Sequence, residues 1–386
     1  MRNKIEYLLK HNEIILTIYK KVFSFIFKVL GLFIPIKENL ILFSANSQRY
    51  NDSPRAIYEK MKQDNELKDK YTYVWALDKP GEYDIPYEHI EIKADTLKYF
   101  VYCLKAKYWI TSVNIERGLK FKKKQTKFLN TWHGTAINKM GNSIEGRNDF
   151  DWSDTDFVCY ANDGEIEIYK ECFNTTNDNM IPTGLPRNDE LYLVDEKKKQ
   201  ELRKKLNIPE NKKVILYAPT WRDSNDFGEN YVLTPPIDWD KWKKQLGEEY
   251  VFLLRTHPYT TKLMNVEFND FVRNYTSYPS INELLMVADI LISDYSSTLL
   301  DYCILERPMF CFGYDYEEYT KIRGFYYDIS KELPNGVTKT EDELINQIKN
   351  IDFEKESEKT KKFKSKHVQY GGNATQICID KMFRNK

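Results

Sequence analysis

Five short polar clusters, each following an apolar run or a turn, hold the residues able to do chemistry. In Asn130-Thr131-Trp132-His133-Gly134-Thr135 a histidine closes the run Lys127–Trp132 and a glycine follows it. An imidazole placed there would stand at the lip of a sheet with little cover. It titrates near neutrality and can remove a proton from an acceptor hydroxyl; a histidine buried against backbone is the plainer alternative. In Leu253-Leu254-Arg255-Thr256-His257-Pro258, Arg255 and His257 are two residues apart, so they share one side of an extended chain. A cation and an imidazole on one edge suit a diphosphate or a developing phosphate charge, whereas a strand end with a turn at Pro258 needs neither.

The third cluster is Ser293-Asp294-Tyr295-Ser296-Ser297-Thr298, between an apolar strand and the apolar segment Leu299–Leu305. Ser296, Ser297 and Thr298 can cap a helix, and the free N–H groups at such an end can hold an anion. Asp294 can orient a neighbouring donor. Thr220 and Arg222 lie in Ala218-Pro219-Thr220-Trp221-Arg222-Asp223, and Gly184, Pro186, Arg187 and Asn188 lie in Thr183-Gly184-Leu185-Pro186-Arg187-Asn188-Asp189. Both of these also read as plain turns. Together the clusters put two histidines, several arginines and a hydroxyl group of residues on strand ends, an assembly suited to a diphosphate-bearing donor. No Gly-x-x-x-x-Gly-Lys-Ser/Thr loop is present, and no Gly-x-Gly-x-x-Gly follows the first strand, which argues against a P-loop kinase and a dinucleotide oxidoreductase. Asp149, Asp151, Asp154 and Asp156 either bind a divalent ion or form a solvated stretch. The sequence requires no cofactor and leaves a divalent cation open.

The elements that must position these clusters are strands alternating with amphipathic helices. Candidate strands are Leu40–Ser44, Tyr71–Ala76, Tyr108–Thr111, Lys127–Trp132, Phe157–Tyr160, Val214–Ala218, Val251–Arg255, Phe271–Asn274, Ile290–Ser293 and Met309–Phe312. Helical patterns include Pro54–Gln63, Glu165–Phe173, Glu196–Leu206 and Ser280–Ala288. The alternation predicts an α/β fold of two doubly wound parallel-sheet domains facing a central cleft. The expected divisions are residues 1–37, 38–189 on the acceptor side and 190–386 on the donor side. In open parallel sheets ligands bind beyond the carboxyl ends of the strands, where these clusters sit.

The chain of 386 residues is 41% hydrophobic, 30% charged and 15% aromatic, rich enough to bury a core and too aromatic for a disordered chain. Fifty-eight basic residues balance 58 acidic ones, so no nucleic-acid partner is expected. A mean hydropathy of -0.63 excludes a polytopic membrane protein. Six scattered cysteines without a Cys-x-x-Cys pair read as small buried hydrophobes in a reducing compartment. Residues 1–37 differ: Ile15, Ile18, Tyr19, Val22, Phe25, Ile26, Val29, Leu32 and Phe33 form one helical stripe interleaved with lysines. The least polar run, Val22–Ile36, contains Lys28 and is shorter than the roughly 20 residues that span a bilayer. Three readings follow: a helix lying on an anionic membrane face, a helix packed on the domain, or a membrane span or signal anchor.

In order along the chain, Asn-Thr-Trp-His-Gly-Thr (130–135), Gly-Leu-Pro-Arg-Asn-Asp (184–189), Ala-Pro-Thr-Trp-Arg (218–222), Arg-Thr-His-Pro (255–258) and Ser-Asp-Tyr-Ser-Ser (293–297) resemble the motifs of the CDP-glycerol glycerophosphotransferase family of teichoic acid primases and polymerases, to which enzymes building phosphopolyol capsules are similar. The resemblance covers roughly residues 100–375, and Gly371-Gly372-Asn373-Ala374-Thr375 resembles the closing motif with Gly-Gly in place of Asp-Gly. It implies a GT-B-like fold, peripheral attachment to the cytoplasmic face of the cell membrane, and transfer of glycerol phosphate from CDP-glycerol to a lipid-linked glycan or polyol-phosphate acceptor with release of CMP. It further implies that His133 is the general base, that His257 acts on the donor phosphates, that Ser296, Ser297 and Arg222 help hold the diphosphate, and that Asp294 is the acid of its motif. Alternatives are a CDP-ribitol or other CDP-polyol transferase, a nucleotide-sugar GT-B glycosyltransferase, and a non-enzymatic membrane-surface scaffold. Primase and polymerase roles both stay open.

Overall fold

The computed structural model describes residues 13–220, 235–256 and 266–384. Arg222 and His257 lie outside the described residues.

Helix α1 (Glu13–Phe33) leads into β1 (Lys37–Ser44), α2 (Asp52–Gln63), β2 (Thr72–Leu77), β3 (Ile90–Lys93), β4 (Ala106–Thr111), β5 (Lys127–Asn130) and β6 (Phe157–Tyr160). Helix α3 (Gly164–Phe173) and β7 (Met180–Pro182) complete the first set. These strands form a parallel sheet in the order β3-β2-β1-β4-β5-β6-β7. The second parallel sheet has the order β10-β9-β8-β11-β12. Its strands are β8 (Lys213–Tyr217), β9 (Tyr250–Leu254), β10 (Val272–Asn274), β11 (Ile290–Ser293) and β12 (Met309–Cys311), with α4 (Thr298–Cys303) between the last two. Helices α5 (Phe353–His367) and α6 (Ala374–Ile379) follow. The architecture is the expected α/β, GT-B-like pair of doubly wound lobes.

All ten strands expected from apolar runs are present, within a few residues at their ends. The central strands are buried on both faces, so they read as unbroken apolar runs. Along β1, Ile41 and Phe43 join one core while Leu40 and Leu42 join the core on the opposite face. Along β8, Val214 and Leu216 face one core and Ile215 and Tyr217 the other. The two unexpected strands, β3 and β7, are the edges of the first sheet. All six cysteines are buried and none forms a disulfide.

The carboxyl end departs from the expected division. Cys378, Ile379 and Met382 lie in the core of the first lobe with Ile41, Phe43 and Trp75. The chain therefore crosses back after α5, and the first lobe contains both 38–189 and the last helical segment. Asp189 fixes the return by accepting the N–H groups of Ala374 (2.9 Å) and Thr375 (2.7 Å) at the start of α6. Gly184 makes room for it: its φ is 72°, and a Cβ there would collide with the carbonyl oxygen of Tyr370.

Helix α1 docks by a narrow side. Phe27 is 7% exposed, and its ring stacks on Phe100 at 4.6 Å. Ser24 accepts the Lys120 N–H at 2.9 Å. The expected stripe itself is uncovered, with Phe25, Leu32 and Phe33 exposed by 69%, 82% and 80%, and the neighbouring Ile14 is 72% exposed. Among the described residues no helix is long and apolar enough to cross a membrane.

Because Ile379 is 1% exposed inside the first lobe, Ile379→Ala is expected to lower unfolding free energy by about 2–5 kcal/mol. Chemical denaturation reads this, and a change below about 1 kcal/mol would show that the returning segment is not part of that core.

Candidate active site

Strand β5 ends in a turn that turns the chain out from the sheet. Asn130 donates to the Val113 carbonyl (2.8 Å) and accepts the Trp132 N–H (2.9 Å). Thr131 N–H still bonds the Thr111 carbonyl at 2.8 Å. Trp132 then takes a φ of 53°, a left-handed conformation that is costly for a bulky side chain. Its ring is held against Trp152 (5.1 Å) and Phe173 (4.7 Å), which sets the direction of His133.

The His133 Nδ1 lies 2.8 Å from the Ser112 carbonyl oxygen. A carbonyl only accepts, so this contact assigns the ring proton to Nδ1 and leaves a lone pair on Nε2. Nε2 makes no hydrogen bond to any described residue. Burial lowers the imidazole pKa below its ordinary 6.5, outweighing the opposite effects of the Ser112 carbonyl and the Asp52 carboxylate. The ring is thus neutral at pH 7, the state a general base needs.

The next residue touches the other lobe. A Cβ on Gly134 would lie 2.6 Å from Ser297 Oγ and 3.0 Å from its Cβ. Beyond it, Asn138 donates to the Tyr295 carbonyl (3.2 Å), Lys139 N–H to Gly324 (3.0 Å), and Tyr326 N–H to Ile137 (3.0 Å). The loop after His133 therefore runs along the second lobe as a seam. There Ser296 Oγ accepts the Thr298 N–H at 3.1 Å and donates to its hydroxyl at 2.9 Å. The buried Asp294 accepts the N–H groups of Thr220 (2.8 Å) and Tyr295 (2.7 Å), tying the loop after β8 to the loop after β11. Arg255 follows the neighbouring strand β9, so three adjacent strand ends present Arg255, Thr220 and Ser296–Ser297 on one edge. The Arg255 guanidinium donates to the Tyr278 carbonyl. Burial lowers its pKa, and among the described residues no carboxylate pairs with it. A desolvated cation of this kind favours an anionic ligand.

The cluster 184–188 packs behind His133. Arg187 donates to Asp52 (3.0 Å), to Asp301 (2.7 Å) and to the His133 carbonyl (2.7 Å). Asn188 donates to the other Asp301 oxygen at 2.6 Å. The Pro186 carbonyl accepts the Thr375 hydroxyl at 3.2 Å, and Gly184 packs against Tyr370. These four residues form the joint between the lobes and the returning chain. The acidic loop is also occupied: Asp149 pairs with Arg147, Asp151 with Lys120 and Asp156 with Lys122. Among the described residues no three His, Cys, Asp or Glu side chains are grouped to hold a metal ion.

Four residues escaped the reading of motifs. Ser112 acts through its backbone carbonyl and carries no side-chain signal. Asp52 begins α2 within Asn51-Asp52-Ser53-Pro54, a helix-start pattern after the first strand. Asp301 is a lone carboxylate inside the apolar run Leu299–Leu305. Glu165, 1% exposed, accepts the N–H groups of Ala136 (2.7 Å) and Ala161 (2.6 Å) and so braces the loop beyond His133; burial pushes its pKa up.

The chain matches the sequence model of the CDP-glycerol:poly(glycerophosphate) glycerophosphotransferases over residues 26–383. It is 32% identical over 373 residues to a teichoic acid poly(glycerol phosphate) polymerase of Bacillus spizizenii, covering 90% of this chain and 91% of that one. It is 34% identical over 361 residues to the protein of the same name from Bacillus subtilis, covering 88% of this chain and 47% of that one. The chain thus spans about half the length of the Bacillus subtilis relative. A solved structure of the wall teichoic acid polymerase TagF soaked with CDPG is similar at a TM-score of 0.80 and 29% identity, covering 91% of this chain and 89% of that one.

Gly134→Ala is expected to lower turnover about 10²-fold by forcing the His133 loop away from Ser297, with a thermal midpoint within a few degrees of wild type. Activity assays and calorimetry check this, and an unimpaired variant would show that the contact does not position His133 for turnover.

Proposed function

The chain belongs to the CDP-glycerol:poly(glycerophosphate) glycerophosphotransferase family, and we propose that it transfers glycerol phosphate from CDP-glycerol to a hydroxyl of a lipid-linked acceptor or a growing poly(glycerol phosphate) chain, in teichoic acid or capsule biosynthesis. The observation that carries this reading is the neutral His133, with Nε2 available, one residue from the contact between Gly134 and Ser297.

In the proposed step the acceptor oxygen attacks the phosphorus that bears the glycerol, and His133 Nε2 takes the hydroxyl proton. The bond between that phosphorus and the oxygen of the CMP phosphate breaks, and CMP leaves with the electron pair. Charge on the phosphoryl oxygens is met by Arg255 and by the hydroxyls of Ser296 and Ser297. Asp294 keeps Thr220 beside them. His257 and Arg222 complete the proposed donor set on sequence resemblance alone.

The acceptor chemistry also gives α1 a role. Its uncovered apolar face, flanked by Lys20, Lys21 and Lys28, suits an anionic bilayer surface at the cytoplasmic side, where it would bring the cleft to a lipid-linked substrate.

CMP release and product mass, followed with CDP-glycerol and CDP-ribitol separately, test the donor. CDP-glycerol is expected to be turned over faster, and the reverse order would reassign the polyol. His133→Ala is expected to cost 10²–10⁴-fold in kcat/KM while the fold survives. Since burial holds this pKa below 6.5 and the neutral ring is the active form, the wild-type rate should fall only as pH drops through a value below 6.5. An acid limb at or above 6.5, or near-wild-type turnover by His133→Ala, would remove His133 from the role.

The triple change Phe25→Glu, Leu32→Glu and Phe33→Glu should abolish co-sedimentation with vesicles containing phosphatidylglycerol. Each apolar side chain gives about 1.5–3 kcal/mol on burial. Undiminished sedimentation would exclude this face as the attachment site.

A further inference from the structure

We propose that Arg187 is a positioning residue, not a phosphate ligand: clamped between Asp52 of the first lobe and Asp301 of the second, it grips the backbone of His133 and holds the base against the donor loop. This rests on His133 being the base, as read above.

The bonding of the guanidinium carries the inference. One terminal nitrogen serves Asp52 and the His133 carbonyl, and the other serves Asp301. Nε is buried without a partner, so it presents no donor to a ligand in the cleft. The side chains of Arg187, Asp52 and Asp301 are 15%, 5% and 5% exposed. Burial works against the Arg187 charge, but Asp301 and Asp52 outweigh it and hold its pKa above the ordinary value. One cation against two carboxylates leaves the group with a net negative charge, which repels a diphosphate rather than attracting it. A donor phosphate that used Arg187 would have to displace two desolvated carboxylates first.

Helix α4 explains why the grip matters. Ser297 and Asp301 lie one turn apart on it, joined by the Asp301 N–H to Ser297 carbonyl bond of 3.1 Å. Ser297 touches Gly134, and Asp301 reaches the His133 carbonyl through Arg187. Two consecutive residues of the base loop are thus fixed at two points by one turn of the second lobe. From the first lobe, Arg187 N–H bonds Ser53 Oγ at 3.3 Å, and Asp52 itself is held at a φ of 60°. Among the described residues, the charged groups facing the imidazole are Asp52 on α2 and Arg187 on the joint segment, with Asp301 on α4 acting through Arg187. Asp52 favours the imidazolium and Arg187 disfavours it, so Asp52 also stabilises the charge that the ring acquires as it takes the acceptor's proton.

The test uses the full chain and the variants Arg187→Lys, Asp301→Asn and Asp52→Asn. Calorimetric titration with CDP-glycerol reads donor affinity, CMP release reads kcat, and an NMR titration reads the His133 ring, assigned with His133→Asn. Lysine keeps the charge but cannot make the forked contact. Arg187→Lys and Asp301→Asn should lower kcat about 10²-fold with donor affinity within about threefold of wild type. Asp52→Asn should move the His133 titration midpoint to lower pH, because a negative neighbour is lost. Affinity for CDP-glycerol weakened tenfold or more by Arg187→Lys, with kcat preserved, would make Arg187 a phosphate ligand and overturn the proposal. So would unchanged kcat together with an unchanged midpoint. If the wild-type chain binds no CDP-glycerol, the reading of function fails, and the clamp then stands or falls on the His133 midpoint alone. Should Asp301→Asn fail to fold, Arg187→Lys and Asp52→Asn decide.

Discussion

A guanidinium buried where two lobes meet stays charged and demands counter-charges to offset its lost hydration. Arg187 satisfies that demand with Asp52 and Asp301, and breaking such a buried pair typically costs about 3–5 kcal/mol. The setting of the lobes is therefore not left to loose surface contact. It is tied to one charge, and the same charge holds the carbonyl of His133. Asn188, Asn282 and Asp189 extend the joint: Asn282 donates to the Arg187 carbonyl at 2.7 Å, and Asp189 anchors the returning chain.

Around this joint the chemistry divides between the lobes. The first lobe supplies a neutral imidazole whose tautomer is set by the Ser112 carbonyl. The second supplies Arg255, a desolvated cation with no carboxylate partner among the described residues, and a pair of serines at the start of α4. Positive charge thus collects where phosphates would lie, and negative charge collects behind the base. In the proposed transfer, such a separation would steady both the phosphoryl oxygens and the imidazolium as a proton moves to Nε2. Trp132 supplies the strained turn that aims the ring, and its packing on Trp152 and Phe173 sustains the strain.

Much of this was legible beforehand because it depends on local rules. Parallel strands buried on both faces appear as apolar runs, so β1, β8 and β11 were plain in the sequence. Polar residues directly after such runs marked His133, Arg255, Asp294 and the two serines. The edge strands were not legible: β3 alternates in Ile90-Glu91-Ile92-Lys93, and β7 is three residues ending in proline. Nor was the joint, since Arg187 finds Asp52 and Asp301 135 and 114 residues away along the chain, and Asp189 meets Ala374 across 185. Motif reading placed Arg187 with the donor phosphates because an arginine beside glycine and proline looks available. Arg187 is instead buried against two distant carboxylates, and neither is visible in a single sequence.

Helix α1 illustrates the same limit from the other side. Its stripe was evident, but a periodic pattern does not say how much of a face a neighbour covers. The structure gives Phe27 and Ser24 to the first lobe and leaves most of the apolar residues outside. A structure of the chain with CDP-glycerol bound probes the cleft without intermediaries. The glycerol-bearing phosphorus should lie within about 6 Å of His133 Nε2, the reach of one attacking hydroxyl, with the diphosphate against Arg255, Ser296 and Ser297. A donor seated away from the seam, with His133 facing protein or bulk solvent, would contradict it.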